Sequence, residues 1–451
     1  MIPKDKQMYG YSKKQGQINH NKSSNRSKLN KADIILICLG GLVLIIGFYL
    51  VFCIYSHQLI ISVLLARAQE NDSTQDLWAK LGTIGDFTAG VFGTLLNFIG
   101  FIVVYLSFRK QAQSNQTQIE AFNHDKIESR FFELIKLHKE NVDELKFTHF
   151  IKKPVKKENG FSYQIFESVA EKRKFFVIPF DQYKSLDQEL DFHFKESKLE
   201  DIYNTGYLDL IKKNAILVEH RVDLVQYAKI DILYLIVFFG VGRSGQAAIN
   251  SQIKGKYKDL FVQKAIDFAA LKPKMESANW EKWESLFETD DRIERSEEII
   301  TEQKRELKEP ALTDVLNPKI NNFYYGKGYE KFYGGHQFRL GHYFRHLYHT
   351  IMFIHSQNME DAEKKRYIKH LRGQLSNNEQ TLLFLNSISQ LGRGWEFENK
   401  KTNKAIDEKL RLITQYALIK NISTDEVMPG VFLSKFYPKI EYESFTVEEE
   451  S

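Results

Sequence analysis

The chain has 451 residues, 43% of them hydrophobic, a length that suits two or three domains. Its 63 Lys and Arg stand against 58 Asp and Glu, but eight of the basic residues crowd into 1–32 beside one acid, so the rest is close to neutral and the basic pI is no sign of nucleic-acid binding. The two cysteines, Cys38 and Cys53, exclude a disulfide framework and a cysteine-built zinc site; on one helix they would stand about 22 Å apart, too far to pair.

Residues 1–32 read as a disordered, polar tail carrying Lys4, Lys6, Lys13, Lys14, Lys22, Arg26, Lys28 and Lys31 against Asp5, able to touch anionic lipid. Two apolar stretches follow within 33–110. Ile34–Tyr55 is free of charge, and Ile84–Phe108 holds only Asp86. About 20 residues of helix cross a bilayer's hydrocarbon, so transmembrane helices are predicted over about 34–56 and 84–108. The joining loop has Arg67 and Lys80 against Glu70, Asp72 and Asp76, whereas Arg109 and Lys110 follow the second stretch at once. Cationic flanks stay on the cytoplasmic side. The prediction is a hairpin in the bacterial inner membrane with both termini cytoplasmic. The alternative, signal-peptide cleavage at Ala66-Arg67-Ala68, fits poorly with so long a basic region and apolar core.

Gly85, Ala89, Gly93 and Asn97 recur at steps of four, with Gly100 nearby, on one ridge of the second helix. Small ridges let helix backbones approach in lipid, and an Asn can bond across. The ridge is either a self-assembly face or the packing face for the first helix.

From 111 to 420 the chain reads as a predominantly helical cytoplasmic domain, rich in Leu, Glu, Lys and Ile with only eight prolines in the whole chain. Gln111–Phe147 holds neither Pro nor Gly, and Ile119, Phe122, Ile127, Phe131, Leu134, Ile135, His138, Val142 and Leu145 recur at helical spacing. Lys152–Gly160 reads as a turn-rich basic break. Arg173–Phe180 is the best strand candidate, and Ile232–Phe239 is apolar but too short to span, hence core. A charged helical segment is expected over 273–310, with amphipathic helices over Leu340–Ser356 and Ala362–Leu391. Residues 421–451 read as a C-terminal acidic tail, loose over its last residues 441–451. The fold class is therefore mainly α, an N-terminal two-helix transmembrane hairpin followed by a helical domain.

Candidate chemistry is sparse. Gly240, Gly242 and Gly245 match the GxGxxG of dinucleotide folds, with Asp267 near the ribose-binding distance; no alternating strand–helix pattern surrounds them, and the competing reading is a helix C-cap glycine. His342, His346 and His349 would share one helix face and could hold a metal, though no HExxH acid accompanies them. Arg339 and His346, with six residues between, resemble the pair with which HEPN-type ribonucleases run acid–base cleavage. No cofactor or metal is called for by any of these.

Four segments carry a resemblance: GDFTAGVFGTLLNFIGFIVVYLSFRKQ (85–111), ESRFFELIKLHKENV (128–142), GHYFRHLYHTIMFI (341–354) and YIKHLRGQLSNNEQTLLFLNSI (367–388). Together they resemble the phage abortive-infection proteins of bacteria, a two-span membrane family, over roughly 90–420 and least through 150–320. The resemblance implies arrest or death of an infected cell before phage are released, and brings no settled catalytic motif. Within its last two segments His342, Arg345 and Tyr348 lie on one helix, and Arg372, Gln374, Ser376, Glu379 and Asn386 follow. Buried charge needs partners, so Arg345 or Arg372 is expected to pair with Glu379, as a structural lock or as the lining of a ligand pocket. The leading expectation is a non-enzymatic membrane effector, homo-oligomeric, in contact with inner-membrane lipids and with an operon-encoded sensor or a phage protein, and without direct nucleic-acid binding. The alternatives are a tethered nuclease or nucleotide-binding enzyme, and a scaffold for a partner defence protein.

Overall fold

In a computed structural model of the chain, residues 31–68, 74–157, 160–277, 280–287, 294–297, 331–399 and 402–443 are described. They fall into two compact units, Met1–Ile127 and Glu128–Ser451. The basic tail lies outside the described residues.

Helix α1 (Lys31–Ala68) and helix α2 (Thr74–Asp143) carry the two apolar stretches. Each is long and apolar enough to cross a membrane, with mean hydropathy of 2.0 and 2.1 over its most apolar window. Both start or end beyond the predicted spans. Within the first unit they run antiparallel: Phe48 meets Phe92 edge-on at 5.2 Å, Gly47 lies against Leu95, and a Cβ on Gly40 would sit 3.5 Å from Ile102. The glycines of α1 thus admit the bulky residues of α2. The ridge of small residues lies elsewhere on α2: a Cβ at Gly85, Gly93 or Gly100 would meet nothing within 4 Å, and Ala89 and Asn97 are exposed. The boundary between the units falls inside α2. Beyond Phe108 its apolar stripe is buried from Phe131 onward, through His138 and Val142, while Ile119 and Phe122 are exposed.

The second unit opens with a hairpin that the sequence reading did not foresee. Strands β1 (Lys146–Lys157) and β2 (Gly160–Glu171) pair antiparallel from Lys146↔Glu171 to Lys157↔Gly160. Lys152–Gly160 therefore belongs mostly to strands rather than a break. Phe147, His149 and Ile151 alternate with Thr148 and Phe150, and a two-stranded ribbon leaves each strand a free edge on which Pro154 is tolerated. Arg173–Phe180, the expected strand, is instead a tight turn (Lys172–Phe176) entering helix α3 (Val177–Glu189), with Phe175 and Phe176 buried. A short apolar run does not by itself separate strand from helix, and Pro179 in the first turn suits a helix start.

Helix α4 (Leu224–Phe239) is the axis of this unit. Its twelve residues Tyr227–Phe238 are all buried, as a helix apolar on every side must be. Asp223 caps its start, accepting from Val225 N at 2.8 Å. Around it pack α3, α5 (Arg243–Ile253), α6 (Asp259–Ala270), α7 (Gln337–His355) and α9 (Asn377–Ile388). The stretch 362–391 is two helices, not one: α8 (Asp361–Arg372) stops at Gly373, and α9 restarts at Ser376, which shares a reciprocal capping box with Glu379. Of 273–310, Trp280–Phe287 and 294–297 are helical, 273–277 form a bridge and turn, and the rest lies outside the described residues. Residues 421–443 are folded. They form a small two-stranded ribbon and a helical turn that bury Val431, Leu433, Phe436 and Tyr437; the acidic 444–451 lies outside the described residues.

Candidate functional site

A cleft of about 1080 Å³ opens along α7. Phe338, Gly341, Arg345, Tyr348 and Met352 form its floor at helical spacing, opposite Leu391–Trp395 and the start of the following loop. The opposite face of α7 buries Leu340, Tyr343, Leu347, Ile351 and Ile354, so packing fixes the helix and aims the floor outward. Gly341 lets α7 close on Phe238, 3.4 Å from where its Cβ would be. Gly392 fits against the backbone carbonyl of Asn386, where no Cβ has room. Trp395 is held edge-on to Tyr348, centroids 4.9 Å apart.

The residues predicted as one polar network separate into three groups. His342, Arg345, Tyr348 and Asn386 line the cleft. Arg345 is exposed, His342 Nε2 lies 3.3 Å from Asn141 Oδ1, and Asn386 donates to the Tyr234 hydroxyl at 3.2 Å. Glu379 sits elsewhere, accepting from Ser376 N at 2.7 Å, Ser376 Oγ at 2.6 Å and the Tyr343 hydroxyl at 3.0 Å. Its cationic neighbour is Arg173, at 3.7 Å, whose Nη2 donates to the Gln374 carbonyl at 2.5 Å; the Gln374 side chain is exposed. Arg372 turns to the Tyr416 and Ala417 carbonyls at 3.4 and 3.1 Å, capping the helical turn Leu412–Tyr416. The expected pairing of Arg345 or Arg372 with Glu379 is therefore wrong. Glu379 is satisfied by its own helix start, which leaves both arginines to other work.

Residues 335–427 match the family model described as "Putative phage abortive infection protein". This is the family that the sequence resembles. The match covers less than a quarter of the chain but takes in α7, α8, α9 and most of the cleft wall. No curated protein and no solved structure matches the chain.

The matched segment also holds the residues weighed for catalysis, and the structure occupies them otherwise. Arg339 donates through Nε to the Lys146 carbonyl at 3.0 Å and lies over the Phe147 ring at 5.2 Å. His346 stacks on His138, centroids 5.8 Å apart, and neither ring has a hydrogen-bond partner among the described residues. Burial, then the charges of His342 and His349, lower the His346 pKa; burial, His346 and Arg173 bring His138 down to about 4. A neutral, packed imidazole is a poor match for general acid–base work near pH 7. Nor do His342, His346 and His349 form a group close enough to share an ion among the described residues.

Gly240, Gly242 and Gly245 join two helices, α4 and α5, where a dinucleotide fold needs a strand. Gly240 ends α4 at φ +78° and lies 2.6 Å, at its missing Cβ, from the Gly334 carbonyl carbon. Gly245 sits against the carbonyls of Phe239 and Gly240. The glycines serve backbone packing: Val241 N donates to Tyr333 O at 2.9 Å and His336 N to Phe238 O at 2.8 Å, tying the 332–336 loop to the end of α4.

The sequence reading missed the most buried polar cluster in the unit. Arg393 meets Asp231 on α4, and Tyr257 donates to the same carboxylate at 2.6 Å. Gln390 N donates to the other oxygen of Asp231 at 2.7 Å. Tyr207 donates to Glu398 at 3.0 Å and accepts from Arg393. Lys256 stands 3.6 Å from Glu398. A signal was present: Asp231 is the only acid in the apolar run of α4, and an acid there needs a buried cation.

Proposed function

We propose that this chain is a membrane-anchored effector of bacterial anti-phage defence, arresting or killing the infected host. The observation that carries this is the match over 335–427, on a chain whose N-terminal unit supplies two helices fit to span a membrane. The charge flanks support an inner-membrane hairpin with both termini cytoplasmic. The second unit then senses infection or holds a partner that does, and the hairpin responds by permeabilising the inner membrane as a homo-oligomer. Support for the last step is the ridge of Gly85, Ala89, Gly93, Asn97 and Gly100. It is not used against α1, and Asn97 exposed to lipid would be costly, so a face of this kind suits another copy.

The test is membrane potential during infection, read by a voltage-sensitive dye in protected cells. Depolarisation before lysis, abolished by Gly93→Leu or Asn97→Leu at unchanged expression, is the expected result. Death of infected cells with the potential intact would sink the permeabilisation step.

A further inference from the structure

The cleft has a chemistry of its own. Among the described residues no Asp, Glu or Lys stands in its wall; the fixed charge is Arg345 and the titratable neighbour is His342. Arg345 has no hydrogen-bond or ion-pair partner among the described residues, and neither do the Tyr348 hydroxyl and the Trp395 indole N–H beside it. All three are donors, with no carboxylate among the described residues of the wall to compete for them. The remaining wall mixes amide and aliphatic side chains with aromatic rings, Phe338, Phe344, Tyr348 and Trp395 among them. Trp395 and Tyr348 stand at 88° to one another, and Phe338 is 91% exposed, with no core contact to explain a large apolar ring there.

A free guanidinium beside aromatic faces suits a ligand anionic at one point and planar elsewhere. Arg gives a phosphate a bidentate seat, and rings accept a base by stacking. One guanidinium balances one phosphate, not a triphosphate. The volume lies just above the range of small-ligand sites, roughly 300–1,000 Å³, so a nucleotide fits without enlargement. We infer that the cleft binds a nucleotide carrying a single phosphate, the phosphate on Arg345 and the base against the exposed ring of Phe338. This differs from the glycine-loop reading: it uses none of Gly240, Gly242 or Gly245.

Titration calorimetry on the full chain in detergent tests it, with AMP, UMP, adenosine and inorganic phosphate as probes. Saturable binding of AMP or UMP is expected, with adenosine and phosphate each about tenfold weaker or more. Arg345→Gln weakens the nucleotide by about tenfold at an unchanged melting temperature. Should that variant melt early, Phe338→Ala decides in its place, since its ring leaves no cavity. No saturable binding of either monophosphate at millimolar concentration overturns the inference. So does adenosine or phosphate binding as tightly as the nucleotide, or equal affinity in the folded variant. The measurement does not rest on the defence reading: loss of binding leaves the depolarisation test standing, and the reverse holds too.

Discussion

Arg393 Nη2 and Asp231 Oδ2 meet at 2.8 Å with the two side chains only 1% and 0% exposed. The pair links α4 to the loop that walls the cleft. A buried ion pair is weak evidence of net stability, but removing one partner strands the other in a low-dielectric interior, at a cost of about 3–5 kcal/mol. Asp231→Ala and Arg393→Ala are each expected to lower unfolding free energy by about that much. Because Tyr207, Tyr257 and Glu398 share the cluster, the two losses will not add. Denaturant melts of the single and double variants check this; single variants within 0.5 kcal/mol of the parent would show the cluster to be hydrated.

Arg372 and Arg345 separate structure from site. Arg372 is buried and donates to two carbonyls. Charge-assisted bonds are worth about 1.5–3 kcal/mol, so Arg372→Ala is expected to destabilise by about that amount. Arg345→Ala, on the exposed floor, should stay within about 0.5 kcal/mol. Thermal melts of both proteins, run side by side, give the comparison. Equal losses would place Arg345 in the packing after all.

Much of this architecture was legible and some was not, for identifiable reasons. The two apolar helices and the core segment Ile232–Phe239 follow from length and hydropathy alone, which do not depend on partners. Half of the predicted network reached the cleft because His342, Arg345 and Tyr348 share a helix, and helical spacing is local. The pairing of Glu379 failed because a capping box competes for the same carboxylate, and Ser376–Glu379 at three residues' spacing signalled it. Arg173, Trp395 and Arg393 were invisible as partners, since their contacts join segments far apart in the chain. The β1–β2 hairpin was obscured by the lysines of β1, Lys152, Lys153, Lys156 and Lys157, which crowd toward its turn and read as a loop.

The glycine turn gives a prediction that divides two readings of one motif. A Cβ at Gly245 would collide with the Phe239 and Gly240 carbonyls, whereas one at Gly242 meets nothing within 4 Å. Gly245→Ala should therefore destabilise by about 1–3 kcal/mol, the usual cost of overpacking, and Gly242→Ala by about 1 kcal/mol or less, as a helix N-cap. Chemical denaturation of both variants is sufficient. If Gly242→Ala were the costlier, the turn would be serving something other than backbone packing.

Acid should weaken the second unit through His138. Its folded pKa lies near 4 against an unfolded value near 6.5, with burial the main cause and His346 and Arg173 adding to it. The unfolded chain then binds the proton first, so the contribution is full above about pH 6.5 and is lost as pH falls toward 4. The size is about 3 kcal/mol. His336, brought to about 3 by burial and Arg339, extends the same slope lower. Both nitrogens of His138 are buried without a hydrogen-bond partner, and its ring lies 5.0 Å from that of Tyr343. His138→Phe keeps the ring contact and removes the titration. The variant should lose part of the slope between pH 6.5 and 4 and be no less stable than the parent at pH 7.5. Urea melts across that range measure both quantities. An unchanged slope would mean that His138 is solvated or paired in solution, and a loss at pH 7.5 would mean that an imidazole nitrogen is bonded.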